Sequence, residues 1–406
     1  MRIRALQSGT SADGIDHVTA SFTPHGDVLH VRVEDHGTAP MPADLAGPLA
    51  RALGGDALTG EEWNRLDTRL GQAFGDVAAR PSSAGAVDLV VSHGQTVHHG
   101  VSGDAVWGTL QLGQPAWIAR ATGAPVLFGV RVADVAAGGM GAPLMTAFDE
   151  LWLARGVDEP AAVVATLNLG GIANVQVRGA DGAMTGFDTG PANALLDAWT
   201  SSAVGEPCDR DGVRSARGRV DTVLLERLRR HPYFALPAPK TTGRETFDLG
   251  VVRDALNGRE IAVDDVCATL VELTAGTVAD ALRDAGVTGA TGSRVIASGG
   301  GTRNLHLMRR LRALLAPLPV ETSDDHGIAS SARESLMFAT LGWFALTRTP
   351  LRLPGTPSAA AAVAGQWDLS LAPLPVLDAS PTPPRRIVVD AAPGRGAAPG
   401  QEGDSR

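Results

Sequence analysis

Asp188 stands in the run GFDTGP, residues 186–191, with a glycine two positions away on either side and a proline after it. A carboxylate in a chain segment that bends freely can serve as a general base if the bend aims it at a reacting proton. Upstream lies LNLGGIANV, residues 167–175, where an apolar run over 161–169 ends in the pair Gly170 and Gly171. Residues 192–199 have helical spacing, so Asp188 is expected just before a helix N-terminus, where unpaired N–H groups favour an anion. That arrangement would bring a base and a phosphate together. The same residues also fit a plain strand–turn–helix corner with Asp188 as its capping residue.

Four further runs carry chemistry. GTSADGID, residues 9–16, is a small-residue turn between two strand-like segments, able to wrap a phosphate with its N–H groups. It lacks the GK[ST] of a Walker A loop. Its Asp13 suits either a Mg²⁺ held through water or an Asx bond closing the turn. SHGQTVHH, residues 92–99, follows a continuous apolar run and is expected at the carboxyl end of a buried strand, where α/β folds place ligands. No Cys or carboxylate stands at ligand spacing beside its histidines, so Gln95 and Thr96 read as hydrogen-bonding groups for a polyhydroxylated substrate rather than as part of a metal site. RVADVAAGGMGAPL, residues 131–144, reads as a flexible glycine-rich loop; Arg131 suits a substrate carboxylate or, equally, bulk solvent. Strand, then Gly299, Gly300 and Gly301, then a helix over 305–315 lets a flat ring or a phosphate approach the backbone.

Composition singles out one more stretch. The chain has 35 basic residues, of which Lys240 is the one lysine, and Tyr233 is its one tyrosine. Both fall in residues 231–247, HPYFALPAPKTTGRETF, an aperiodic loop with three prolines. Lysine and arginine are not interchangeable where a compact ammonium is needed. Either the segment does something specific or the coincidence is empty.

The elements that must position these groups follow from periodicity. Strands are expected over 2–6, 15–22, 28–33, 87–91, 110–112, 125–128, 161–169, 175–177 and 294–297, and helices over 61–79, 115–122, 220–230, 263–285, 305–315 and 331–347. From residue 350 Pro, Gly and Ala dominate, and 367–406 reads as a disordered tail. Residues 3–33 and 163–177 begin alike, with strand, small-residue turn and hairpin. A duplication of that kind predicts two related lobes with a cleft between them, each offering a glycine turn to one nucleotide.

The whole chain narrows the function classes. Its 406 residues allow about two domains, and 44% hydrophobic with 19% charged residues describes a globular protein. A net charge of −9 argues against nucleic acid or an anionic membrane as the main partner. Two cysteines, Cys208 and Cys267, fit a reducing compartment. The N-terminus lacks the apolar core of a signal peptide, and no run approaches the roughly 18 apolar residues of a membrane span, so a soluble cytoplasmic protein is expected.

Taken in order, these turns resemble the anhydro-N-acetylmuramic acid kinase family of the sugar kinase/Hsp70/actin superfamily. The resemblance spans about residues 6–345 and adds DRDG at 209–212, PYFALPAPKTTGRE at 232–245, ATLVELTA at 268–275 and GGGTRN at 299–304 to the runs above. It implies an α/β fold of two ribonuclease H-like lobes, the actin-like ATPase fold, with a nucleotide cleft between them. Lobe I would span 1–131 with a return of about 340–366, and lobe II 132–339. It implies an ATP- and Mg²⁺-dependent reaction: O6 of the anhydro sugar is phosphorylated while water opens the 1,6-anhydro bridge at C1. The product is N-acetylmuramic acid 6-phosphate, made during reuse of cell-wall sugars.

By resemblance Asp188 is the general base. Gly9, Thr10, Ser11, Ala12, Asp13, Gly14, Ile15 and Asp16 form the first phosphate loop, and Asp13 holds Mg²⁺ through water. Gly170 and Gly171 belong to the second phosphate loop; Gly299, Gly300, Gly301 and Asn304 meet the nucleoside. Gln95, Thr96, Arg131, Asn174 and Glu334 line the sugar pocket, with Arg131 suited to the lactyl carboxylate. A homodimer is the family's habit. The chain departs from the family at Met140, where Gln is usual, at Gly129 and Val130, where an acidic residue and Phe are common, at Met337, and in a blurred pattern over 353–365. A kinase of another sugar and a nucleotide-dependent sugar sensor without catalysis are the competing expectations.

Overall fold

The computed structural model describes residues 1–9, 12, 14–81, 85–102, 105–154, 162–243, 246–350, 363–377 and 382–390. Along the chain run β1 (Arg2–Ser8), β2 (Gly14–His25), β3 (Val28–Pro40), α1 (Ala43–Leu53), α2 (Gly60–Ala78), β4 (Leu89–Ser102), β5 (Ala105–Leu112), α3 (Pro115–Thr122), β6 (Val126–Phe128), α4 (Val130–Ala136) and α5 (Met145–Trp152). Next come β7 (Val164–Leu169), β8 (Ile172–Arg178), β9 (Met184–Pro191), α6 (Asn193–Val204), α7 (Val213–Arg217), α8 (Thr222–Arg229), α9 (Leu249–Leu256) and α10 (Val263–Asp284). The chain closes with β10 (Arg294–Ser298), α11 (Leu305–Leu315), β11 (Val320–Thr322), α12 (Arg333–Leu346), β12 (Gln366–Asp368) and β13 (Arg386–Asp390).

The strands form two sheets in a mixed α/β fold, and the sheets share one plan. In the first, β1, β2 and β3 make an antiparallel meander; β4 lies parallel to β1 on its other side, and β6 parallel to β4. In the second, β7, β8 and β9 make the meander, β10 lies parallel to β7, and β11 parallel to β10. The likeness between residues 3–33 and 163–177 is therefore the visible start of two equivalent meanders. The first sheet is extended by β5 against β4, β12 against β6 and β13 against β3.

Both faces of the first sheet are covered. Leu66, Leu70, Phe74 and Val77 of α2, spaced to make one apolar stripe, pack with Leu6, Ile15 and Val90. On the other face Leu336, Phe338, Trp343 and Phe344 of α12 join Ile3, Ala5 and Val91, with Phe148 of α5. The second sheet buries Leu167, Leu169 and Val175 against Leu270, Val271 and Val278 of α10. Its opposite face is polar where it meets α5 and α12. There Arg333 and Asp149, 2% and 0% exposed at their side chains, form an ion pair. Thr166 Oγ1 donates to Asp149 Oδ2 at 2.7 Å, and Arg333 also donates to Ser298 Oγ at 3.0 Å. A buried pair is costly unless its remaining polar atoms find partners; β7 and β10 supply Thr166 and Ser298, while Arg333 Nε has none among the described residues.

Residues 336–339 of α12 pack in the core of Ile3 and Ala5. Two expectations change. Of residues 367–406, expected as a tail, 378–381 and 391–406 lie outside the described residues; among the rest, β12 runs from Gln366 to Asp368, and in β13 the side chain of Ile387 is 2% exposed in the same core as Ile3. The alternation RIVVD is a strand signal that the surrounding Pro and Gly obscured. Finally, the loop expected over 131–144 begins as a helix, α4, because VRVADVA lacks glycine and only the following GGMG breaks it.

Candidate active site

Asp188 does not sit at a helix N-terminus. It lies within β9, opposite Asn174 of β8, beside a bulge: Ala173 pairs with Gly190 and Asn174 with Asp188, leaving Thr189 as the extra residue. A bulge raises local twist and re-aims the adjacent side chain. The first N–H groups of α6 are used differently from the expectation. Ala192 and Ala194 donate to Gly171 O at 2.9 and 3.1 Å, and Asn193 N to Gly170 O at 3.0 Å. Asn193 Nδ2 adds bonds to Leu169 O at 3.1 Å and Gly170 O at 2.8 Å. The helix start therefore fixes the Gly170–Gly171 turn from behind rather than holding an anion itself.

Asp188 is half-buried. Burial pushes its carboxyl up to about 6, against the downward pull of the Thr242 N–H, which donates to Oδ2 at 2.8 Å. A carboxyl poised there is ionised at neutral pH and still basic enough to take a proton. Its strand leads to the glycine turn: three residues further on, Pro191 pairs with Ile172, about 10 Å along at roughly 3.3 Å per residue.

The two glycine turns of the second sheet touch. Gly299 has φ +88°, and a Cβ there would fall 2.6 Å from Asn168 Oδ1 and 2.9 Å from Leu169 O. A Cβ at Gly301 would fall 2.7 Å from Leu169 Cβ, whereas one at Gly300 would meet nothing within 4 Å. The cradle is thus closed on the protein side and open at Gly300, which suits a ligand lying on backbone. Asn304 Oδ1 caps α11 through Leu307 N at 2.9 Å, and its side chain is buried against Gly212 of the DRDG run, while its Nδ2 has no partner among the described residues.

A second cluster forms where β1 and β4 meet the start of α12. Gln95 is fully buried; its Nε2 donates to Gly9 O at 3.2 Å and to Thr96 O at 3.0 Å, while its Oε1 has no partner among the described residues. Thr96 Oγ1 accepts from Gln111 at 3.3 Å. Arg131 is held rather than free: Nε donates to His93 Nε2 at 2.7 Å and a terminal nitrogen to Gly141 O at 2.8 Å. The acceptor role of Nε2, with Nδ1 at 3.1 Å from Gly94 O, makes His93 a neutral imidazole; burial and the Arg131 charge hold its pKa well below the usual value. Burial also lowers the Arg131 pKa, and Glu334 opposes it. Burial raises that of Glu334, with Arg131 lowering it and Asp16 raising it further. Glu334 is nevertheless exposed to solvent. Asp16 accepts from Gln7 at 2.9 Å and Thr38 at 2.6 Å.

Of the first loop, Thr10, Ser11 and Asp13 lie outside the described residues, and so does the expectation of Mg²⁺ at Asp13. Gly9 O accepts the N–H of Ala12, whose φ is +54°, a turn conformation rare outside glycine. Gly14 and Ile15 already belong to β2, and the Ile15 side chain is core. Among the described residues no three His, Cys, Asp or Glu side chains are grouped to hold a metal ion. The His98 ring lies 5.5 Å from that of Trp107 at a 46° tilt, and His99 Nδ1 lies 3.1 Å from Thr109 Oγ1. The start of α12 joins the clusters: Ser330 O accepts the Gly299 N–H at 3.1 Å, and Arg333 and Glu334 reach toward Ser298 and Gln7. Sequence reasoning missed Thr242, Asn193 and the Asp149–Arg333 pair; for Thr242 the signal was its place two residues from the single lysine.

Two sheets of one strand order, with glycine turns after β7 and β10 laid against each other, define a mixed α/β protein of the sugar kinase/Hsp70/actin superfamily. The profile of one family, anhydro-N-acetylmuramic acid kinase, matches residues 1–366. The chain is 45% identical over 400 residues to the anhydro-N-acetylmuramic acid kinase of Streptomyces coelicolor, covering 97% of this chain and all of that one. It is 48% identical over 349 residues to the protein of that name from Streptomyces avermitilis, covering 84% and 88%, and 41% identical to that of Rhodococcus erythropolis over 96% and 100%. The chain belongs to the anhydro-N-acetylmuramic acid kinase family. No described helix is long and apolar enough to cross a membrane.

Proposed function

We infer that this protein is an ATP-dependent kinase that adds water across the 1,6-anhydro bridge of 1,6-anhydro-N-acetylmuramic acid and phosphorylates O6, giving N-acetylmuramic acid 6-phosphate and ADP. The observation that carries the reading is Asp188: a half-buried carboxylate with a pKa near 6, held by one backbone N–H, on the strand whose end lies beside the Gly170–Gly171 turn. In this reading each sheet with its helices is one ribonuclease H-like lobe, α12, β12 and β13 going with the first, and the nucleotide binds in the cleft between them.

Asp188 takes a proton from the water that attacks C1. The C1–O6 bond breaks, and O6 accepts the phosphoryl group, so no separate acid is needed. The Gly170–Gly171 turn and residues 299–301 offer backbone to the nucleotide; the open face at Gly300 supports this. Mg²⁺, when bound, would neutralise phosphate charge; among the described residues no three His, Cys, Asp or Glu side chains are grouped to hold it. Gln95, Thr96, Asn174 and Glu334 position the sugar, and Arg131 supplies positive charge for the lactyl carboxylate. Closure of the lobes would exclude bulk water that otherwise hydrolyses ATP.

The test is direct: incubate the protein with Mg²⁺-ATP and the anhydro sugar and weigh the products. The 6-phosphate carrying one added water is the expected species. Its absence at every enzyme concentration overturns the reading, and phosphorylation of other sugars in its place would reassign the substrate.

A further inference from the structure

We propose that residues 233–242 form a strap that positions Asp188, with Tyr233 and Lys240 as its two positioning residues. The proposal rests on the reading of Asp188 as the base.

β9 is the edge strand of the second sheet, so one side of its backbone has no strand neighbour among the described residues. Edge strands fray, and a base on a fraying strand would be poorly aimed. The strap closes that edge at one residue. The N–H of Asp188 donates to Lys240 O at 2.9 Å. The Tyr233 hydroxyl donates to Asp188 O at 2.7 Å. The Thr242 N–H donates to Asp188 Oδ2 at 2.8 Å. One segment thus meets the N–H, the carbonyl and the carboxylate of the same aspartate. The approach is tight enough to require glycine beside it: Gly190 has φ +142°, and a Cβ there would fall 2.8 Å from Phe234.

The strap is also locked onto itself. Lys240 Nζ donates to Tyr233 O at 3.2 Å and Phe234 O at 3.4 Å and stands 4.7 Å from the Tyr233 ring centroid. A compact ammonium on a flexible stem fits between these two carbonyls and the ring face here, and the larger planar guanidinium would need a different placement to make the same contacts. That is a physical reason for the one lysine of a chain that otherwise uses arginine. Phe247 anchors the assembly at 5.4 Å from Tyr233 and 5.5 Å from Phe234. Misplacing a reacting group by about 1 Å can lower a rate by roughly 100-fold, so a strap of this kind would act on turnover rather than on nucleotide affinity.

The test is steady-state kinetics on Tyr233→Phe, Lys240→Met, Lys240→Arg, Asp188→Asn and the double variant Asp188→Asn/Tyr233→Phe, with melting curves for each. Tyr233→Phe keeps the ring and removes only the hydroxyl. The expected result is a kcat about tenfold lower with KM for ATP within about twofold, and a similar loss for Lys240→Met that Lys240→Arg does not restore. In the Asp188→Asn background, Tyr233→Phe should cause no further loss of residual turnover, because its effect passes through the carboxylate. If Tyr233→Phe melts before assay, Lys240→Met decides. Wild-type kcat in the folded variants overturns the strap, and so does a full tenfold loss repeated in the double variant. Wild-type turnover in Asp188→Asn alone instead overturns the base assignment, and the strap with it.

Discussion

Asp188 owes its chemistry to a balance at one side chain. Burial raises its pKa to about 6, and the Thr242 N–H restrains the rise. The working form of a base is the ionised one, so turnover should climb as pH rises through about 6 and level off above, read from a pH–rate profile. Asp188→Asn should lower turnover by a factor on the order of 100 or more while ATP binding, followed by calorimetry, stays near wild type. The same shift bears on stability with a definite sign. A carboxyl whose pKa is higher folded than unfolded destabilises the native state as pH rises, and the loss accrues between the unfolded value near 4 and the folded value near 6. The Asn variant, always neutral, should therefore melt at a higher temperature than wild type above pH 6. Its advantage should vanish toward pH 4. Equal melting at pH 8 would contradict the burial of that charge.

At the scale of elements, the phosphate turns depend on close approach. At Gly299 the backbone has φ +88°, and a Cβ would collide with Asn168 and Leu169. Gly299→Ala should raise KM for ATP severalfold and cost about 1–3 kcal/mol of stability, measured by denaturant unfolding, because strain and collision act together. Gly300→Ala meets open space on the protein side; it should leave stability within about 0.5 kcal/mol and act on nucleotide affinity alone. Elements also explain which expectations shifted. The run GFDTGP reads as a turn because glycine and proline dominate it, yet its backbone is paired to β8 through Pro191, and one extra residue, Thr189, is absorbed as a bulge. Local composition cannot register a partner strand, and the partner decided the conformation. The helix over 305–315 was legible to its ends because Asn304 supplies a local cap and the apolar stripe is strong.

Across the whole molecule, the Asp149–Arg333 pair joins the helix layer of the first sheet to β7 and β10 of the second. Removing one partner leaves a buried charge. Arg333→Met should cost about 3–5 kcal/mol, and Asp149→Leu/Arg333→Met should recover much of that in denaturant unfolding. At the other edge, β13 lies beyond the matched family region and closes β3, pairing Arg386 to Asp390 with Val28 to Arg32. Ile387→Ala should lower stability by about 2 kcal/mol, since its side chain lies in the core shared with Ile3 and Val91.

The amino-acid sequence by itself determined the repeated meander, the glycine turns, the amphipathic helices and the presence of a carboxylate among them. These are local signals: period, small residues at bends, caps, and a composition from which one lysine and one tyrosine stand out. Only the tertiary structure decided that Asp188 lies on an edge strand rather than at a helix end. It also decided that the first turn of α6 is consumed by the Gly170–Gly171 carbonyls, and that Tyr233, Lys240 and Thr242 converge on that aspartate from about 50 residues away. Each outcome depends on which backbone groups find partners far along the chain, and hydrogen-bond satisfaction between distant segments leaves no period or motif in the residues that supply it.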